Sequence, residues 1–197
     1  MPLGSRRFLA CLVAIAALSG NAGCDKPAPT GAQPAPTSMF GGTDLAWIEI
    51  SIAMDVEVVP LLDLASTRAA DAGVRRLAAD LETSAVGELV MLRQLHDAAR
   101  LPARNPHEGM PMPGMVTADQ VAAAGHATGH AFDALLLSDV TAHLNQGFRL
   151  ATSETKAGVE PRTLALARRV LASRTAFLRR VAPLTRTTGA ITASPSP

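Results

Sequence analysis

Apolar residues recur at steps of three and four along most of the chain. Trp47, Ile50, Met54, Val58, Leu61 and Ala65 fall on one face of a helix over residues 44–70. Thr43 stands where its hydroxyl would take a free amide at the helix start. Pro60, inside the run, predicts a local kink. A second stripe, Leu77, Leu81, Ala85, Leu92 and Leu95, predicts a helix over 73–100. Residues 101–115 are rich in breakers and read as a long loop. Thr117 is placed to cap a third helix reaching about 156, with Phe132, Leu136, Val140, Gly147 and Leu150 inward. Pro161 falls in the first turn of a fourth helix to about 182, whose face carries Leu166, Val170, Phe177 and Val181. No segment alternates with period two, which excludes a sandwich or barrel. Residues 185–197 hold few core formers and read as a disordered tail.

The two halves resemble each other. Met54 to Ala65 lines up with Val140 to Ala151, and Ala72-Gly73-Val74 returns as Ala157-Gly158-Val159. Leu77-Ala78 and Leu166-Ala167 open the second helix of each half. The expectation is an all-α domain over residues 43–184. It is a four-helix bundle of two similar helical hairpins with a long crossover loop between them.

The N-terminus reads differently. Arg6 and Arg7 precede an apolar run from Phe8 to Leu18, then small residues lead to Cys24. Residues 1–23 read as a secretory signal, too short to span a bilayer comfortably. Ser5-Arg6-Arg7-Phe8-Leu9 is similar to a twin-arginine signal, and both export routes stay open. Ala22-Gly23-Cys24 resembles a bacterial lipobox, with Asn21 where that pattern usually has Leu. Cys24 would then be acylated, and residues 24–42, rich in Pro, Ala and Thr, would tether the domain to the outer side of a membrane. The chain has two cysteines. Cys11 leaves with the signal and Cys24 is taken by lipid, so no disulfide or thiolate site remains. Without Arg6 and Arg7, the 18 basic residues fall to 16 against 17 acidic ones. Near-neutrality argues against nucleic acid as a partner.

Four ionisable residues sit on apolar stripes: Glu57, Glu88, His143 and Arg174, one per helix and at similar distances from the hairpin tips. Two readings are open. One is a buried ion-pair layer, in which Arg174 satisfies Glu57 and Glu88 while His143 completes the hydrogen bonds. The other is a metal centre of Glu57, Glu88 and His143 with Met54, which the fixed charge of Arg174 opposes. The crossover loop adds His107, Met110, Met112 and Met115, donors that suit soft Cu(I). Its methionines would equally serve as adaptable apolar cover. His126 and His130, four apart in the predicted third helix, could clamp one ion or simply be solvated. No histidine has Glu three residues before it, so the di-iron signature of such bundles is missing. No hydrolase or phosphate-loop motif is present either. The chain reads as non-enzymatic.

The loop His107-Glu-Gly-Met110-Pro-Met112-Pro-Gly-Met115, with Phe132-Asp133-Ala-Leu-Leu-Leu137, resembles the ferritin-like envelope family catalogued as domain of unknown function 305. That family typically carries Met, two residues and His-His once per half. The resemblance spans about residues 43–184 and implies a ferritin-like bundle. In this chain the His-His position falls on Glu57-Val58 in the first half and on His143-Leu144 in the second. The fourth-helix counterpart of Glu88 is Phe177. Some relatives are associated with copper handling, which implies Cu(I) or Cu(II) binding as an expected role. The alternative is a metal-free scaffold or protein-binding module in which a Glu/His/Arg network has replaced the centre.

Overall fold

The computed structural model describes residues 39–193, and side chains as far as residue 190. The signal, Cys24 and most of the tether lie outside the described residues. Among the described residues there are six helices: α1 (Gly42–Asp63), α2 (Ala65–Arg68), α3 (Ala72–Ala99), α4 (Ala118–His126), α5 (Gly129–Ala157) and α6 (Pro161–Ala193). No strand occurs among the described residues. α1 packs chiefly on α3 and α5 on α6; α1 also meets α5, and α3 meets α6. No described helix is long and apolar enough to cross a membrane.

Three boundaries differ from the sequence expectation. The first predicted helix breaks at Leu64 into α1 and α2, four residues beyond Pro60, which α1 accommodates. Thr43 does not cap α1. Gly41 holds that position, and its N–H donates to the Asp44 carboxylate at 2.6 Å. The third predicted helix is two. α4 opens on a reciprocal Thr117–Gln120 cap and ends at His126; α5 begins at Gly129, whose φ of 63° is easy only for glycine.

The tail expectation changes as well. α6 runs on to Ala193, well past 182. Leu184 packs on the core, Thr188 is buried, and Thr185 and Thr188 share a cavity with Leu137 and Ser138 of α5. A sparse apolar pattern was enough because α5 supplies the opposing surface.

The core falls into two main apolar clusters. The larger contains Val58, Leu81, Phe132, Leu136, Val140 and Phe177. The other contains Trp47, Ile48, Leu92, Ala151, Leu166 and Val170. In α1, α3 and α6 a buried polar residue stands between the two clusters, and in α5 one stands just before the passage.

Candidate functional site

Those polar residues are Asp55 on α1, Glu88 on α3, His143 on α5 and Arg174 on α6, all buried. One guanidinium nitrogen, Nη2 of Arg174, donates to Asp55 Oδ1 at 3.1 Å and to Glu88 Oε1 at 3.0 Å. His143 Nε2 stands 3.8 Å from the same Asp55 oxygen. Gly147, one turn along α5, makes room for the arginine: a Cβ there would lie 2.8 Å from Arg174 Nε.

The charges of the layer follow from its burial. Two carboxyls share one fixed cation. Burial, and then the nearby Glu88 charge, push Asp55 well above the ordinary carboxylate range, against the pull of Arg174. Burial raises Glu88 as well, again opposed by Arg174. Both acids are thus held above their ordinary values by burial, and the Arg174 guanidinium between them is what opposes that rise. Burial and the neighbouring guanidinium lower His143 to about 3, so its imidazole is neutral. A site already holding an immovable cation has no electrostatic place for a second one.

The sequence placed Glu57 in this layer, and the structure does not. Glu57 lies on the flank of α1, where its Oε1 accepts from the Gly109 N–H of the crossover loop at 2.7 Å. The buried stripe of α1 runs through Ser51, Met54, Asp55, Val58 and Leu62, which puts Asp55 at its centre. Glu88 and Arg174 do meet; His143 is buried beside them, but neither ring nitrogen has a hydrogen-bond partner, so it does not complete the hydrogen bonds of the layer.

The miss was one of register. Asp44 accepts from the N–H groups of Val159 and Glu160 before α6. Asp133 accepts from those of Ala70 and Asp71 before α3. This reciprocal pair, like Leu77-Ala78 and Leu166-Ala167, fixes a repeat in which His143-Leu144 matches Met54-Asp55, and not Glu57-Val58. Self-comparison anchored on these aspartates could have found Asp55.

The methionine loop crosses the outer side of α1. Asn105 Nδ2 donates to the Glu49 carbonyl at 2.7 Å, and Glu57 holds Gly109. Gly114, with φ of 80°, lies so close to α5 that a Cβ would meet the Ala142 carbonyl at 2.6 Å. Thus pinned, the loop brings Met115 and Met112 onto Met54, forming a third apolar cluster with Ala53, Ile50 and Leu150. Met54 and Met115 are buried and Met112 is half-buried. Three methionines from two distant segments therefore pack in one place, as adaptable apolar cover for the middle of α1. Met110 is not among them; it is exposed at the lip of a groove. His107 is half-buried, and its Nδ1 has no hydrogen-bond partner.

His126 and His130 do not form an i,i+4 pair on one helix. One ends α4 and the other stands in the first turn of α5, and neither is buried. His130 Nδ1 lies 3.4 Å from Asp133. The break at Thr128-Gly129 removes the shared face. Among the described residues, no group of three or more His, Cys, Asp or Glu could hold a metal ion.

Fold and site together define a helical-bundle protein with a guanidinium–carboxylate layer across its middle and a thioether cluster at one side. The domain of unknown function DUF305 matches residues 47–184, and the chain belongs to that family. A DUF305 protein of Streptomyces coelicolor, inferred to be secreted, is similar in structure at 24% identity and a TM-score of 0.67, covering 75% of this chain and 94% of its own. A DUF305 fragment from Deinococcus radiodurans gives 16% identity and a TM-score of 0.66, covering 75% of this chain and 98% of its own. At these identities the likeness carries the fold alone. No curated protein matches the chain.

Proposed function

We propose that this is an exported, membrane-tethered, non-enzymatic protein that binds a soft monovalent metal, Cu(I) in the first instance. Its ligands would be Met54, Met112 and Met115. The observation carrying this reading is that buried Met54 and Met115 and half-buried Met112 pack in one apolar cluster. Thioethers are neutral and need no deprotonation, so they suit Cu(I) without a nearby compensating charge. We read the bundle as ferritin-like and built of two hairpins. The signal-like segment and Cys24 support export and lipid anchoring.

A second reading rests on a different observation. Arg174 already occupies the middle of the bundle between Asp55 and Glu88. That favours a metal-free scaffold whose centre is closed by an ion-pair network.

Titrating the purified mature chain with Cu(I) against a colorimetric chelator separates the two. Metal binding predicts micromolar or tighter competition, abolished in a Met54→Leu/Met112→Leu/Met115→Leu variant that melts like the parent. Absence of competition favours the scaffold.

A further inference from the structure

Between the outward side of α1, the crossover loop and the first turns of α4 lies a groove of about 510 Å³. Its walls are apolar: Val56 and Pro60 from α1, Met110 from the loop, and Val121 from α4. Val56 and Met110 are among the exposed large apolar side chains of the chain. Two carboxylates, Glu57 and Glu108, stand on the same lining, and no lining side chain is cationic. At the start of α4 the reciprocal cap takes the Thr117 and Gln120 N–H groups, and Asp119 adds a negative charge to the first turn.

We propose that this groove binds amphipathic organic cations, an aliphatic ammonium lying between Glu57 and Glu108 with its alkyl chain against Val56, Pro60 and Val121. The charge pattern selects the ligand. Glu57 is raised by burial and by the charge of Glu108, although the Gly109 N–H lowers it. An ammonium placed between the two acids relieves that repulsion and makes charge-assisted hydrogen bonds. An anion of the same shape would add to the repulsion. A neighbouring cavity of about 310 Å³ shares Val56 and Glu108 but carries Arg93, which disfavours a cation there. Because the loop is held by Asn105 and Glu57, the groove is formed before any ligand arrives. This inference is independent of the methionine cluster, whose ligands do not line the groove.

The test is calorimetric titration of the mature protein with butyl-, hexyl- and octylammonium, with octanoate and octanol as controls. Binding should weaken about fourfold for each methylene removed. It should weaken about tenfold in a Glu57→Gln/Glu108→Gln variant. The carboxamide introduced by Glu57→Gln keeps an oxygen for the Gly109 N–H, so the loop stays in place and the melting temperature should not move. A Val56→Trp variant, filling the exposed wall, should block the site. Octanoate binding as tightly as octylammonium, no dependence on chain length, or full affinity in the doubly substituted variant would each overturn the proposal. So would no measurable binding of octylammonium at millimolar concentration.

Discussion

Ser84 and Ser173 meet hydroxyl to hydroxyl at 3.4 Å, 89 residues apart in sequence. The same spacing relates Asp44 to Asp133, Asp71 to Glu160, and His143 to Met54. The two serines therefore stand at equivalent places of the 89-residue spacing and touch each other between α3 and α6. The relationship extends to the caps: Asp71 accepts from Gly73 and Val74 at the start of α3, and Glu160 accepts from Thr163 at the start of α6. Symmetry ends at the centre, where Arg174 matches Ala85, and Glu88 matches Phe177.

That broken symmetry makes Arg174 the residue on which the layer depends. Arg174→Leu should cost about 3–5 kcal/mol, because two buried acids lose their cation. Without Arg174 both carboxyls take up protons more readily, so the defect should shrink at acid pH. Urea denaturation of parent and variant at two pH values checks this; equal stability at neutral pH would show that the network contributes nothing.

Gly147→Ala should destabilise by about 1–3 kcal/mol, since the new methyl would press on an arginine fixed by two partners. Gly87, on the outer side of α3, meets nothing within 4 Å, so Gly87→Ala should stabilise by about 0.5–1 kcal/mol. The opposite signs of two identical changes, read from thermal melts, separate packing from helix propensity.

Glu154 sets a pH dependence. It is fully buried beside Asp44, and neither of its oxygens receives a hydrogen bond. Burial, then the neighbouring Asp44 and Glu160, raise it to about 8 from an ordinary 4.5. The folded chain thus holds a proton that the unfolded chain releases. Its contribution is full below pH about 4.5 and is lost as pH rises towards 8. His143, lowered to about 3 from 6.5, acts in the opposite sense: its contribution is present above 6.5 and lost as pH falls. Between pH 6.5 and 8, Glu154 should therefore make the parent less stable as pH rises, and Glu154→Gln should flatten the curve. Melting temperatures across that range decide it; parallel curves would rule the Glu154 proton out.

Asp133→Ala removes the acceptor for two backbone N–H groups, at 3.2 Å from Ala70 and 3.1 Å from Asp71. The loss should be about 2 kcal/mol, concentrated at the start of α3. Hydrogen exchange of the Ala70 and Asp71 amides should accelerate in the variant. Unchanged protection there would refute the assignment.

The legible part of the site was the part carried by single-helix periodicity. Glu88 and Arg174 each stand alone on an apolar stripe, so their burial followed from spacing. On α1 two acids, Asp55 and Glu57, lie about 160° apart around the helix and flank the stripe on opposite sides. A wheel cannot choose between them, because the edge is set by where α5 and the crossover loop press on α1. Asp44 and Asp133 carry no signal of burial in the sequence for a related reason. An aspartate at a helix start looks solvated until another segment brings its N–H groups there.

What the sequence by itself determined was the helical character of the chain, the long helices and most of their inward faces, because each depends on residues within a few turns of one another. Only the tertiary structure decided which carboxylate meets Arg174, that three methionines share one cluster, and that His126 and His130 belong to different helices. Those outcomes depend on how separate segments are registered against each other. Register is fixed by contacts such as Ser84 with Ser173 and Asp44 with Val159, between residues far apart in the chain.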